Sequence, residues 1–388
     1  MSLRAARIVG AGIAGLTAAL CFARRGIACD VFEQAEMLEE VGAGLQLSPN
    51  ASRILQRLGL LPELEERWNE PERVTLASGF LLKPIAAVPL GKDARRRWGA
   101  PYGVLHRASL QRVLLDAVRS EPLCNLVLGS KSAGKRASAP GGRTGHRADL
   151  TIGADGVWSS LRQAVPGAGR ERFSGNVAWR FMLPFREAPD FLDANVVSAF
   201  LGPRAHLVVY PLTQFDAFNI VAIHQASSPG GSWSSEPDAA SQARLRAVFS
   251  GWNEAILDML ERAASPRVWP LHECGDGRWF DGHDLVLIGD AAHAMTPFAA
   301  QGAAMAIEDA AELAAATAGT TDMPSAIREF ETHRRARVNR VRSRAAFNRF
   351  AYHARGPLAF GRDLVLSFRR PEDLASDFDW LYGYTAAD

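Results

Sequence analysis

Three glycines near the start of the chain are spaced for chemistry. Gly10, Gly12 and Gly15 form Gly-x-Gly-x-x-Gly after a short apolar run, and residues 14–25 that follow carry helical periodicity. The first glycine permits a tight turn, the second lets backbone approach a pyrophosphate, and the third allows close helix–strand contact. The helix start, with Ala14 in its first turn, offers free N–H groups and partial positive charge to phosphate oxygens. Glu33 ends the next strand-like run, 28–33, where a carboxylate would bond ribose hydroxyls. Its charge repels a 2′-phosphate, so the motif suits FAD or NAD and disfavours NADP.

Four further groups share this character. Asp155-Gly156 follows the strand-like run 149–154, and Gly289-Asp290 follows 284–289, leading to Pro297 and then Gln301-Gly302-Ala303 at a helix start. Arg107 stands at the beginning of a predicted helix, where a cation opposes the macrodipole unless an anion lies nearby. His206 and Tyr210 are four apart on a predicted strand and so project to one face. Each has a plainer reading: an Asx turn for Asp155, a helix cap for Asp290, a satisfied sheet histidine for His206 and a core aromatic for Tyr210. His293 and His224 read as packing and structural residues.

The elements that must position these groups begin with a strand at 7–10, a helix and a strand to 33, a β-α-β unit that requires a parallel sheet. Helical periodicity recurs at 50–59 and 108–119. Aromatic and β-branched alternation then predicts antiparallel strands at 177–185, 196–201, 206–211 and 219–224. Ser-, Gly- and Arg-rich stretches at 130–147 and 226–240 read as loops. An Ala-rich helix runs to about 318, and an Arg-rich helix from about 325 to 355 reads as a solvated face.

Composition narrows the classes. Over 388 residues, 47% hydrophobic and 22% charged describe an ordinary globular chain rather than a disordered one. A net charge of +2 excludes a global field for nucleic acid or an acidic membrane, although 40 of the 44 basic residues are arginine. No apolar run is long enough for a membrane span. Cys21, Cys29, Cys124 and Cys274 have no metal-ligand spacing, so no metal is expected; buried free thiols, a reducing compartment and a cytoplasmic location are.

Taken together, Gly10-x-Gly12-x-x-Gly15, Gly153-Ala-Asp155-Gly156 with Arg162, and Gly289-Asp290-x6-Pro297 resemble the class A flavoprotein monooxygenases, the para-hydroxybenzoate hydroxylase family, from about residue 7 to 350. Gly44-Leu-Gln-Leu-Ser-Pro-Asn50, Trp179-Arg180, the 206–211 stretch and Ala300-Gln301-Gly302 are most similar to its salicylate hydroxylase and 3-hydroxybenzoate 6-hydroxylase branch. The resemblance implies an α/β fold. A Rossmann-like FAD-binding domain (1–75, 98–168 and 283–355) would carry an inserted antiparallel β-sheet substrate domain (76–97 and 169–282), with a C-terminal helical segment (356–388) of undecided role. It implies FAD as cofactor, with Asp290 on the ribityl chain, Arg107 on the FAD, Gly42-Ala43-Gly44 against the isoalloxazine and the helix at Gly302 facing the flavin pyrimidine. Ser109 replaces the family's usual Asp after His106-Arg107, and Phe181 stands where relatives usually carry Gly.

The same resemblance implies an NADH- or NADPH- and O2-consuming enzyme that hydroxylates a small aromatic substrate, a hydroxylated benzoate or heteroaromatic carboxylate, through a flavin C4a-hydroperoxide. His206 would take the phenol proton, Tyr210 would stabilise the phenolate and Gln301 would orient the ring; ionising a phenol at neutral pH costs about 4 kcal/mol unaided. Arg180, Phe181 and Phe298 are candidate substrate contacts. Two alternatives stand beside this: a monooxygenase or epoxidase of a larger polyketide or terpenoid, and a non-catalytic flavoprotein redox scaffold. The choice of NADH or NADPH stays open, as does a homodimer.

Overall fold

The computed structural model describes residues 3–38, 44–130, 148–227, 241–263 and 266–387. The loops expected at 130–147 and 226–240 lie almost wholly outside the described residues, as do Gly42 and Ala43. In chain order the strands are β1 (Ala5–Val9), β2 (Ala28–Phe32), β3 (Gly44–Leu47), β4 (Arg73–Ser78) and β5 (Pro84–Pro89). They continue with β6 (Gly103–His106), β7 (Cys124–Val127), β8 (Leu150–Gly153), β9 (Glu171–Pro184) and β10 (Val196–Gly202). The last are β11 (Ala205–Leu212), β12 (Ala217–Gln225), β13 (Arg267–Cys274) and β14 (Leu285–Leu287).

Five strands form a parallel sheet in the order β14-β8-β1-β2-β7. The helix Ile13–Ala23 makes the crossover from β1 to β2, and ten of its eleven residues are buried. β1 lies between β2 and β8, so the winding reverses there and the loops after β1 and β8 diverge. In such sheets a crevice opens beyond the strand ends at that switch point. Both Gly-rich motifs are therefore delivered to one place.

The second sheet has seven strands, β13-β9-β12-β11-β10-β4-β5. It is antiparallel except at β4–β10, which pair in parallel. Between β4 and β10 the chain runs through β5 and then through the first sheet rather than a hairpin, and that permits the parallel pairing. One face buries Trp179, Phe181, Leu183 and Val209 against the helices Ser241–Val248 and Glu254–Glu261. The opposite face carries Arg180, His206, Val208 and Tyr210 toward the motifs of the first sheet. No helix among the described residues is long and apolar enough to cross a membrane, and all four cysteines are buried and free.

The Arg-rich stretch is one helix, Met323–Tyr352, but it is not simply a solvated face. Arg334 is fully buried, donating to Glu308 (2.7 Å) and Asp309 (2.8 Å), and Arg337 donates to Glu308 at 2.6 Å. Glu308, Asp309 and Glu312 come from the helix Gly302–Thr317, whose Ala-rich periodicity concealed an acidic stripe facing the long helix. The C-terminal segment also finds its place. Asp379 accepts from Arg97 and from the Trp98 indole, the Tyr384 hydroxyl meets Glu312, and Arg337 stacks on the Tyr384 ring. Residues 379–386 thus fasten to the helices Lys92–Trp98, Gly302–Thr317 and Met323–Tyr352, while the helix Pro357–Ser367 walls an apolar cavity.

Candidate active site

The crevice at the switch point is a cavity of about 280 Å³. Gly12, Ala14, Gly44, Arg107, Gly156, Arg180, His206, Tyr210, Asp290, Pro297, Gly302 and Ala303 all line it, so most of the groups singled out in the sequence meet in one place.

The glycines there divide by what stands opposite them. A Cβ on Gly10 would lie 2.3 Å from the Ala154 carbonyl oxygen, and φ is +103°. At Gly15 a Cβ would lie 1.9 Å from the Gly10 oxygen. These two shape the cradle. At Gly12, Gly156 and Gly302 a Cβ would meet nothing within 4 Å. That open space faces a helix start, a turn and a second helix start, and the Gly302 helix begins where the sequence placed it.

This arrangement fits a bound dinucleotide. Backbone N–H groups at Gly12 and Ala14 could hold a pyrophosphate with Arg107 as a nearby positive charge, and Asp290, which lines the cavity, could meet ribityl hydroxyls. Asp155 Oδ2 accepts from Ser160 and Leu161 N–H, the Asx-type role, while Oδ1 is buried with no hydrogen-bond partner. Glu33 is placed differently from the ribose-only role expected. Its two oxygens accept from Ala11 N–H (2.8 Å) and Ala35 N–H (3.0 Å), so it also ties down the glycine loop. Gly289, at φ +58°, donates to Asp309, and the same carboxylate lies 2.5 Å from His293 Nε2, which makes His293 structural.

On the facing sheet, His206 and Tyr210 share one face of β11, as their spacing requires. Tyr210 is packed so tightly over Gly44 that a Cβ there would lie 2.6 Å from its hydroxyl. Burial raises the Tyr210 pKa, offset in part by Arg180, so its hydroxyl stays protonated at neutral pH. Arg180 Nε is buried with no hydrogen-bond partner. His206 is 1% exposed, lies against the Phe298 and Tyr352 rings at 5.2 and 5.3 Å, and has a pKa far below 6.5 from burial and from His353.

His206, Val208, Pro297 and Ala300 also line a second, larger cavity of about 610 Å³. It is largely apolar, running between β4, β5 and β10 and the C-terminal helices, with Phe298 and Tyr352 in its wall. His206 is therefore, with Gln46 and Val208, among the side chains shared by the two spaces.

Two expected contacts are corrected. Gln301 lines neither cavity: its Nε2 donates to Ser48 at 2.9 Å, and its Oε1 is 3.3 Å from Asn50 Nδ2, which itself donates to Glu308. Both ends of this buried amide are engaged by Ser48 and Asn50, away from the two cavities. Phe181 is not a pocket wall either. It is one residue from Arg180 on β9, so strand alternation sends it to the opposite, core face. One group was missed: His353, which caps the long helix and sets its Nε2 2.9 Å from His206 Nδ1. No local signal links residues 147 apart in sequence.

Comparison with known proteins agrees with this geometry. The family described as FAD binding domain matches residues 4–345. The chain is 35% identical to 3-amino-4-hydroxybenzoate 2-monooxygenase PtmB3 of Streptomyces platensis, covering 98% of this chain and 96% of that one. It is 34% identical to 3-hydroxybenzoate 6-hydroxylase 1 of Aquipseudomonas alcaligenes, over 97% and 96% of the two chains. Among solved structures, a salicylate hydroxylase substrate complex superposes with a TM-score of 0.80 at 24% identity, over 99% and 96%, a likeness of fold.

Proposed function

The chain belongs to the FAD binding domain family and is an FAD-dependent aromatic monooxygenase; on that premise we propose that it hydroxylates a phenolic carboxylate, a hydroxylated benzoate or heteroaromatic equivalent, with His206 and Tyr210 acting on the phenol. When bound, FAD supplies the redox chemistry, taking reducing equivalents from NADH or NADPH and delivering one atom of O2 to the ring. The protein's own task is to hold the phenol, remove its proton and keep water out.

The observation that carries this reading is that His206 and Tyr210, on one face of β11, both line the cavity that the glycine motifs also line. A neutral imidazole is a proton acceptor, and burial keeps His206 neutral at pH 7. A protonated Tyr210 donates a hydrogen bond to the phenolate oxygen. Phenolate is the form of the ring that carries most electron density to the oxygen donor, so both residues act on the nucleophilicity of the substrate. The unpartnered Arg180 Nε supports an anionic group on the substrate as its partner. Gln301 is a positioning residue, holding the start of the Gly302 helix to Ser48 and Asn50. The four free thiols favour a cytoplasmic setting.

The test is turnover of 3-hydroxybenzoate and 3-amino-4-hydroxybenzoate with NADH or NADPH under ¹⁸O2. One labelled oxygen in an aromatic product supports the reading. Reductant consumed with only hydrogen peroxide formed across phenolic acids contradicts it.

A further inference from the structure

His206 has a difficulty as a base. It is 1% exposed and enclosed by Phe298 and Tyr352, and its imidazolium is strongly disfavoured, so a proton accepted there must leave at once. Among the described residues its ring has one hydrogen-bond partner, another imidazole, His353, with Nδ1 and Nε2 2.9 Å apart.

His353 stands between His206 and a surface cleft of about 720 Å³. The cleft is lined by Arg204, Arg349 and Arg355, all exposed, and by Asn176 and Gln225. Two buried polar atoms of its lining have no protein partner: His353 Nδ1 and Asn176 Oδ1. Buried polar groups are rarely left unsatisfied, and water is the ordinary partner where a cleft reaches them. One nitrogen of His353 thus meets the active-site histidine, and the other is an unpartnered buried atom of a residue that lines the cleft.

We propose that His206 and His353 form a two-imidazole relay that carries the phenol proton out of the active site to water in the Arg204–Arg349 cleft. The proposal rests on the phenol-hydroxylating reading above. The phenol O–H transfers its proton to His206 Nε2, leaving phenolate. The His206 Nδ1–H proton passes to the lone pair on His353 Nε2, and the His353 Nδ1–H proton passes to a water in the cleft. Three N–H or O–H bonds break and three form, and both imidazoles end neutral with their tautomers exchanged. No imidazolium need persist, which suits the surroundings.

The charges facing the relay all favour release over storage. His353 has its pKa lowered to about 4 by burial, by Arg349 on its own helix and by His224 on β12. Arg204, from the β10–β11 turn, and Arg355 add positive charge at the cleft. Tyr352 and Phe298 contribute no charge at neutral pH and seal the other side. A base with so low a pKa is weak alone. Coupled to solvent through a relay, the proton equilibrium is set by the phenol and bulk pH instead.

The experiment is stopped-flow mixing of the FAD-loaded full chain with 3-hydroxybenzoate, following phenolate absorbance and proton release to an indicator dye. In the wild type we expect both signals to rise together. His353→Gln keeps a hydrogen-bonding group but cannot exchange tautomers, and should slow both at least tenfold with ligand affinity and flavin content unchanged. In His353→Ala, added imidazole should restore the rate. Wild-type rates in His353→Gln, or a loss in His353→Ala that imidazole does not restore and that follows weakened ligand binding, would overturn the relay. Binding to the wild type with no phenolate formed would overturn the hydroxylase reading and the relay with it.

Discussion

Arg334 and Asp309 form a fully buried ion pair, Nε to Oδ1 at 2.8 Å, that ties the long C-terminal helix to the loop presenting Asp290 to the cofactor cavity. Asp309 reaches that loop through Gly289 N–H and His293. Burial alone would raise the Asp309 carboxyl, but His293 and Arg334 more than offset it and hold its pKa below the usual carboxylate value. A depressed carboxyl stabilises the fold above its unfolded pKa of about 4, and that contribution is lost as pH falls through the folded value. Removing one partner of a buried pair costs about 3–5 kcal/mol. Arg334→Met should therefore lose stability of that order at pH 7 and show a weaker dependence on pH below 4 than the wild type. Chemical denaturation across pH checks it; wild-type stability at pH 7 would count against the pair.

The glycines of the first motif should separate by role. At Gly15 a Cβ meets backbone, whereas at Gly12 it meets open space. Gly15→Ala is expected to destabilise the FAD-free protein itself. Gly12→Ala should leave the melting temperature of the FAD-free protein near wild type and weaken FAD at least tenfold. Thermal melts with and without FAD, together with FAD titration, distinguish the two. Equal losses of FAD-free stability would remove the distinction.

His206→Ala should lower hydroxylation by about 100-fold, the scale of a general base, while FAD remains bound and NAD(P)H is still consumed. Because burial and His353 push the His206 pKa well below 6.5, charging of this imidazole should add no inflection near pH 6.5 and should cost activity only at more acidic pH. The readout is product formed per NAD(P)H across pH. An inflection at 6.5 belonging to His206 would contradict its burial.

Arg180→Met should raise the KM of a hydroxybenzoate by about 10- to 100-fold, the cost of one charge-assisted hydrogen bond of about 1.5–3 kcal/mol. Its effect on the corresponding methyl ester should be small. Parallel kinetics on acid and ester check this, and equal effects on both would remove Arg180 as the carboxylate partner.

The cofactor half of the site was legible because its information is local. Gly10 to Gly15, Asp155-Gly156 and Gly289 to Pro297 each carry a turn and a helix or strand end within a few residues, and the parallel sheet brings them together. His206 and Tyr210 were legible for the same reason, as strand period 2 fixes their common face. What escaped was long-range. The acidic stripe at Glu308, Asp309 and Glu312 reads as an Ala-rich helix until Arg334 and Arg337 are laid against it. Gln301 was given to the substrate because nothing local shows that Ser48 and Asn50 would claim its amide. Phe181 was misassigned by neighbouring Arg180, although alternation alone sets them on opposite faces. His353 lies at the end of a helix whose charge drew attention to its arginines.

Anaerobic reduction of the bound flavin by NADH and by NADPH, with and without a panel of hydroxybenzoates and hydroxynicotinates, tests the central claim most directly. If the cavity lined by His206 and Tyr210 is the seat of a substrate-gated aromatic hydroxylase, one phenolic acid will accelerate bleaching of the flavin absorbance strongly, and His206→Ala will bind that acid without forming phenolate. Reduction at the same rate with every acid and with none would contradict the account.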